Sequence, residues 1–87
     1  MADVLTADEI AAHFSAMDDS VALINATVAD DSEEIAMWGS AAEVKLMVTR
    51  NTDHLEIQAT KDWYSDSSKS KTPYTNAVAA GKAYVAG

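Results

Sequence analysis

Apolar residues in the first third of the chain recur at alternating intervals of four and three residues. They are Ile10, Phe14, Met17, Val21, Ile24 and Val28. Because an α-helix repeats every ~3.6 residues, this spacing places all of these side chains on one helix face. We therefore predict one helix over about residues 7–29, with that face buried against other elements. The alternative is two helices, since Asp18-Asp19-Ser20 lies off the apolar face and suits a break.

Local signals mark where helices begin and end. Thr6 and Ser40 are each followed three residues later by a glutamate, which is the spacing of a capping box. In that motif a hydroxyl and a carboxylate each accept from a free backbone N–H group. Gly39 is a natural helix stop. The segment 30–38 is predicted to be a connection that holds at most one short helical turn, with Asp31 as its cap.

The segment 43–64 fits two interpretations, a β-hairpin and a helix. A hairpin would turn at Arg50-Asn51-Thr52-Asp53, which contains neither glycine nor proline and so lacks the usual turn residues. Helical spacing is followed instead by Ala41, Val44, Val48, Asn51, Leu55 and Ala59. We predict a helix over about residues 41–62. Asn51 within this series is expected either to fix register through a pair across the helices or to bond only to backbone.

The same helix carries a second apolar stripe on its opposite side, formed by Leu46, Ile57 and Tyr64 with Asp53 between them. A helix that is apolar on two sides usually packs between neighbours, so a third helix covers this stripe or leaves it as a contact surface. Aromatic residues at helix ends are predicted to pack beside the core, and any that are exposed would anchor a contact. The candidate interface residues are Leu46, Ile57, Trp63, Tyr64 and Trp38.

The last part of the chain predicts a polar loop followed by a helix. The loop Ser65-Asp-Ser-Ser-Lys-Ser-Lys71 is too poor in apolar residues to pack. Thr72 is the expected N-cap and Pro73 the first residue of a helix over about 73–86. Gly81 within that helix costs about 1 kcal/mol relative to alanine, so it predicts a close approach of another backbone there.

Composition places these helices in one small domain. The chain has 87 residues, no cysteine and a net charge of -8. Residues 1–42 carry nine acids and no lysine or arginine, whereas residues 43–87 carry five acids and six bases. This charge disfavours direct binding to nucleic acid or anionic membranes, which depends on basic residues. We predict an all-α domain over residues 1–87, a small three-helix bundle with helices at about 7–29, 41–62 and 73–86.

No sequence motif predicts catalysis, a metal or a cofactor. Gly81-Lys82 lacks the upstream glycine and the following hydroxyl residue of a phosphate-binding loop. His13 and His54 lack further ligands at suitable spacing, and the acidic pairs do not follow the alternating pattern of a calcium loop. A catalytic role would require Asp53 and His54 to share a deep pocket. We therefore expect no enzyme activity, no cofactor and no metal site.

Residues 54–64, HLEIQATKDWY, followed by TPYTNAVAAGKAYVAG near the C-terminus, resemble a pattern in short uncharacterised proteins of tailed bacteriophages. The resemblance implies a small virion or assembly component and identifies no site residue. We accordingly expect a non-catalytic structural protein that self-associates as a homo-oligomer or docks on a protein partner through apolar helix faces. The alternative is an acidic binding module, such as a nucleic-acid mimic, that occupies a basic site on a partner. The expected location is the virion or the host cytoplasm, neither secreted nor in a membrane.

Overall fold

The structure is a computed structural model that describes residues 5–87 of the chain. Asp3, one of the acids counted above, lies outside these residues. The fold is all-α, as predicted, and residues 5–87 contain no β-strand, so the hairpin interpretation is excluded. There are five helices in this part of the chain where three were predicted. They are α1 (Ala7–Ala29), α2 (Ser32–Trp38), α3 (Ala41–Gln58), α4 (Asp62–Asp66) and α5 (Thr72–Ala86).

The first helix, α1, has the predicted bounds and does not break at Asp18-Asp19-Ser20, but Val28 at the end of its predicted buried face is 43% exposed. Its capping box is complete. The Glu9 backbone N–H donates to Thr6 Oγ1 at 3.2 Å, and the Thr6 backbone N–H donates to Glu9 Oε1 at 3.0 Å. The hydrogen bond from the Thr6 backbone N–H, followed by the interaction with the Thr6 hydroxyl, lowers the pKa of Glu9 below its ordinary value.

The third helix, α3, begins as predicted, with the Glu43 backbone N–H donating to Ser40 Oγ at 3.2 Å, but it ends at Gln58, so the prediction of one helix to residue 62 is wrong. The Thr60 hydroxyl donates to the Ile57 carbonyl at 2.7 Å, and the backbone N–H of Lys61 bonds to the Gln58 carbonyl at 3.0 Å. These shorter-range bonds tighten the last turn and redirect the chain. An uninterrupted helix would have carried Tyr64 to the outside, whereas the turn before α4 carries it into the core, where it is 8% exposed.

The connections around α2 are capped differently from the prediction. Asp31 makes no side-chain cap hydrogen bond to α2. Instead, Asp30 Oδ1 accepts from both the backbone N–H and the hydroxyl of Ser32, while the Tyr84 hydroxyl donates to Asp31 Oδ2 at 2.8 Å. The hydrogen bond between Tyr84 and Asp31 ties the start of α2 to the end of α5. Gly39 ends α2 with a φ of 97°, a left-handed conformation that favours glycine.

The start of α5 also differs by one residue from the prediction. Lys71 occupies the N-cap position and Thr72 is already helical, so Thr72 is not the cap. Pro73 lies in the first turn, as expected from its missing N–H group.

The three long helices α1, α3 and α5 all pack against one another, and α2 packs on α3. Residues 5–87 therefore form five helices, three of them long and mutually packed, rather than the simple bundle of three helices that was predicted. One core cluster contains Phe14, Met17, Ile24, Leu55, Tyr64, Tyr74 and Ala77, and a second contains Val44, Met47 and Val48.

Gly81 lies buried where these three helices meet. A Cβ atom at this position would lie closer than 3.0 Å to Thr52 Oγ1 on α3 and at 3.4 Å from Ile24 Cγ2 on α1. The predicted close approach is therefore present, although it comes from side chains rather than from another backbone.

Candidate interaction surface and the buried polar network

A buried polar network joins α1 to α3. The Ser20 hydroxyl, on a residue only 5% exposed, lies 2.9 Å from both Asn51 Oδ1 and His54 Nδ1. Asn51 Nδ2 donates to the Met47 carbonyl at 2.9 Å, which fixes the orientation of the amide. Because Asn51 Oδ1 can only accept, the Ser20 hydroxyl donates to it and accepts from His54, which must then carry hydrogen on Nδ1.

This network contains the pair across the helices that was one prediction for Asn51, so the alternative that Asn51 bonds only to backbone is wrong. Asn51 bonds to Ser20 on the neighbouring helix and also to a backbone carbonyl of its own helix. Each hydrogen-bond donor in the contacts among Ser20, Asn51 and His54 therefore has an acceptor. A helix shifted along its axis by one turn would leave these buried groups without partners, at a cost of about 1–3 kcal/mol for each. The network therefore fixes the register of α1 against α3.

The proximity of Ser20 to His54 does not form a nucleophile. The Ser20 hydroxyl already donates to Asn51, and a nucleophile requires the histidine to accept its proton rather than donate one. Ser20 also lies in the middle of α1, where backbone N–H groups bond within the helix and none is left to stabilise an oxyanion. Asp53 lines a different region, the groove between α3 and α5, so the structure does not bring Asp53 and His54 into one pocket.

The second apolar stripe predicted for α3 divides into two parts. Leu46 is 50% exposed and Ile57 is 57% exposed, and neither is covered by α5. Exposed Arg50 and Asp53 lie between them on the same side of the helix. We call these four residues, Leu46, Arg50, Asp53 and Ile57, the outer face of α3.

Two further members of the predicted interface, Trp63 and Tyr64, belong to an aromatic cluster at one end of the long helices. Trp63 is half-buried, with its ring 5.3 Å from the Phe14 ring and stacked on His13 at 4.9 Å. Tyr64 is buried, and this burial raises the pKa of its hydroxyl. Neither residue therefore extends the outer face of α3, and Tyr64 in particular offers no exposed contact surface.

The end of α2 carries Trp38, the last member of the predicted set, and a second exposed apolar side chain beside it. Trp38 is 45% exposed, and the neighbouring Met37 is 72% exposed, the highest value among the large apolar residues that are exposed. Sequence reasoning named Trp38 but missed Met37. Its position next to a tryptophan at a helix end, in a short connection, was the available signal. Leu23 and Val28 on α1 are exposed to a smaller extent, at 42% and 43%.

A groove lies between α3 and α5. It has a volume of about 270 Å³, with Gly81 at its floor and an ion pair between Lys82 Nζ and Glu56 Oε2 at 2.9 Å on its rim. The groove is open to solvent, and ligand sites are normally concave enough to bury most of the ligand. The polar side chains that line it are those of Thr49, Thr52, Asp53, Glu56 and Lys82, and the last two already pair with each other.

Charged and titratable groups at the aromatic end contact one another and the aromatic rings. The Tyr74 hydroxyl donates to Asp18 Oδ1 at 2.6 Å, and Lys69 Nζ lies 3.7 Å from Asp18 Oδ2 and 5.2 Å from the Phe14 ring centroid. Burial, followed by the hydrogen bond to Asp18, raises the pKa of Tyr74 well above its ordinary range. Within residues 5–87 no three His, Asp or Glu side chains come together as potential metal ligands.

Comparisons of the chain with protein-family models, with curated proteins and with solved structures found no match. Among the helices of residues 5–87, none is both long enough and apolar enough to cross a membrane.

Proposed function

We propose that this chain is a non-catalytic assembly protein that binds protein through exposed apolar side chains on α2 and α3. The observation that supports this most directly is the outer face of α3, where Leu46 and Ile57 remain half exposed on a helix whose opposite side is fully buried. Trp38 and Met37 on α2 add a second exposed apolar site. Tryptophan is among the residues that contribute most to protein interfaces.

The energetics favour an assembly role over tight binding by a single contact. Complete burial of a large apolar side chain contributes about 1.5–3 kcal/mol, and Leu46, Ile57, Trp38 and Met37 are still between 45% and 72% exposed. Burial of these four side chains would therefore contribute roughly 3–7 kcal/mol, which lies at the lower end of the estimated cost of association, about 4–15 kcal/mol. Contacts of this strength become effective when they are repeated or combined, as in an assembly.

The resemblance of residues 54–64 and 72–87 to short phage proteins supports a more specific form of the proposal. In that form the chain is a component of a virion or of its assembly, located in the particle or in the host cytoplasm. It acts through self-association or docking, without a cofactor and without direct contact to nucleic acid.

The charge distribution favours a second candidate, an acidic module that occupies a basic site on a partner. All nine acids of residues 1–42 precede the first lysine of the chain. Two of these acids, Asp19 in α1 and Glu33 in α2, are exposed and make no ion pair within residues 5–87. A partner bound in this way would be attracted by opposite charge, and its affinity would fall steeply with salt.

Co-purification of the tagged chain from the cells or particles that contain it distinguishes the two candidates. We expect a partner, or further copies of the chain, to remain bound at high salt and to be lost when Leu46 and Ile57 are replaced by serine. Matched replacement of exposed Ala79 and Ala83 on α5 by serine should leave binding intact. Binding that disappears at high salt but survives the Leu46 and Ile57 replacements would instead support the acidic module.

A further inference from the structure

The outer face of α3 has an internal symmetry in its residue types. Its members occur at intervals of four, three and four residues, in the order apolar, basic, acidic, apolar. With a rise of about 1.5 Å per residue, the face is about 16 Å long. The intervals are the same reading forward or backward, and reversal exchanges Leu46 with Ile57 and Arg50 with Asp53.

Two copies of such a face match when they meet in antiparallel orientation. If a two-fold axis passes between Asn51 and Thr52, the residue numbers rise along one helix as they fall along the other. Leu46 then lies opposite Ile57 of the partner subunit, and Arg50 lies opposite Asp53 of the partner subunit. A two-fold interface repeats each contact, so two apolar pairs flank two ion pairs of opposite charge.

Parallel packing does not give this complementarity. It would place Arg50 opposite the partner subunit's Arg50 and Asp53 opposite the partner subunit's Asp53, with like charges in contact. Both charged side chains are exposed and neither forms an ion pair within the described residues. They are therefore available to a second copy, and only the antiparallel arrangement pairs them.

The location of this face also suits self-association. Residues 43–87 carry five acids and six bases, whereas residues 1–42 carry nine acids without a lysine or arginine. Contact through α1 would bring together the strongly acidic parts of two chains. Contact through α3 brings together the part that is nearly neutral, so charge repulsion between two copies is smallest there.

We propose that the occupant of the outer face of α3 is a second copy of the same chain, packed antiparallel with Leu46 against Ile57 and Arg50 against Asp53. This inference rests on the proposed function and names the partner for that surface. The contact covers about three helical turns, so the dimer is weak and forms at high protein concentration.

Sedimentation equilibrium of the full chain, from about 10 μM to about 1 mM, tests the dimer, a range that covers weak affinities. We expect wild-type protein to show reversible dimerisation. Arg50→Glu and Asp53→Lys should each weaken it by about tenfold or more, because each places like charges opposite one another. An equimolar mixture of the two variants should restore dimers, since glutamate at position 50 then meets lysine at position 53 and aspartate meets arginine.

Matched controls separate this pairing from net charge. Lys45→Glu and Asp19→Lys change net charge by the same amounts on side chains outside the outer face of α3, and their homodimers should retain the wild-type affinity. Circular dichroism should show that all four variants keep their helices, because Asp19, Arg50 and Asp53 are exposed and Lys45 is only partly buried.

Three results would overturn the dimer proposal: a wild-type chain that stays monomeric at 1 mM, charge variants that dimerise like wild type, or a mixture no stronger than its components. A monomeric chain that still co-purifies with another protein through Leu46 and Ile57 would leave the proposed function intact. A monomeric chain without such a partner would remove both proposals.

Discussion

Replacing Gly81 by alanine tests how closely the three long helices approach one another. In an exposed helix position this change stabilises a protein, since alanine has the better helix propensity by about 1 kcal/mol. At Gly81 the added methyl group would overlap Thr52 Oγ1 and touch Ile24 Cγ2 at 3.4 Å. The structure therefore predicts the opposite sign.

The size of this destabilisation follows from the displacement of Thr52 that the added methyl group requires. Thr52 is 3% exposed, and its hydroxyl donates to the Val48 carbonyl at 2.8 Å, so rotating it away gives up a buried hydrogen bond worth about 0.5–1.5 kcal/mol. Insertion of a methyl group into a packed core costs a further 1–3 kcal/mol. After subtraction of the helix-propensity gain, we expect Gly81→Ala to lower the free energy of unfolding by about 0.5–3.5 kcal/mol.

Urea unfolding followed by circular dichroism measures this change, and tryptophan fluorescence provides a second probe of whether the transition is two-state. Thr52→Ala removes the obstructing hydroxyl, so Gly81→Ala made in that background should be neutral or stabilising, with a coupling of about 2 kcal/mol. Ala79→Gly on the exposed side of α5 calibrates the helix propensity. A Gly81→Ala protein that is more stable than wild type by about 1 kcal/mol would refute the close packing described for this site.

Other predictions test the polar network, the buried phenol and the helix cap. Ser20→Ala should lower the free energy of unfolding by about 1–3 kcal/mol, because it leaves Asn51 and His54 without their shared partner, and a change within 0.5 kcal/mol in urea titrations would argue against the network. Burial and a hydrogen bond to a carboxylate raise the pKa of Tyr74 above its unfolded value of about 10. The folded state therefore binds the proton of the Tyr74 hydroxyl more tightly than the unfolded state does. The resulting contribution to the free energy of unfolding is fully present below about pH 10 and is lost as pH rises further. Tyr74→Phe should accordingly flatten the fall in thermal midpoint between about pH 10 and 12, and an unchanged slope would contradict the assignment. Ser40→Ala should cost about 0.5–2 kcal/mol through loss of the α3 cap, as measured by thermal unfolding, whereas an unchanged midpoint would show that the cap contributes nothing.

The parts of the fold that could be predicted are those set by local sequence. α1 combines a complete capping box at Thr6 with an apolar series that needs no knowledge of its neighbours, and its bounds were predicted correctly. The end of α3 could not be predicted in the same way. The helical periodicity continues past Gln58, and the chain turns so that Tyr64 can enter an aromatic cluster formed with distant parts of the sequence.

In the candidate surface, too, some features could be predicted from local sequence and others depend on packing. Periodicity alone identified Leu46 and Ile57 as lying opposite the buried side of α3, and both are exposed. It also assigned Tyr64 to that stripe, which was wrong because the helix ends first. The Ser20–His54 contact joins residues separated by 34 positions, so only the packing of α1 on α3 brings them together.

The most direct measurement of whether the outer face of α3 binds protein is site-specific photo-cross-linking in the cells or particles that contain the chain. A photoreactive phenylalanine derivative would be placed at Leu46, at Ile57 and, as a control on the exposed side of α5, at Ala79. Strong adducts at positions 46 and 57 with none at position 79 are the predicted result, and their masses would show whether the partner is a second copy of the chain. Equal labelling at all three positions, or none at 46 and 57, would contradict the assignment of this face as the binding surface.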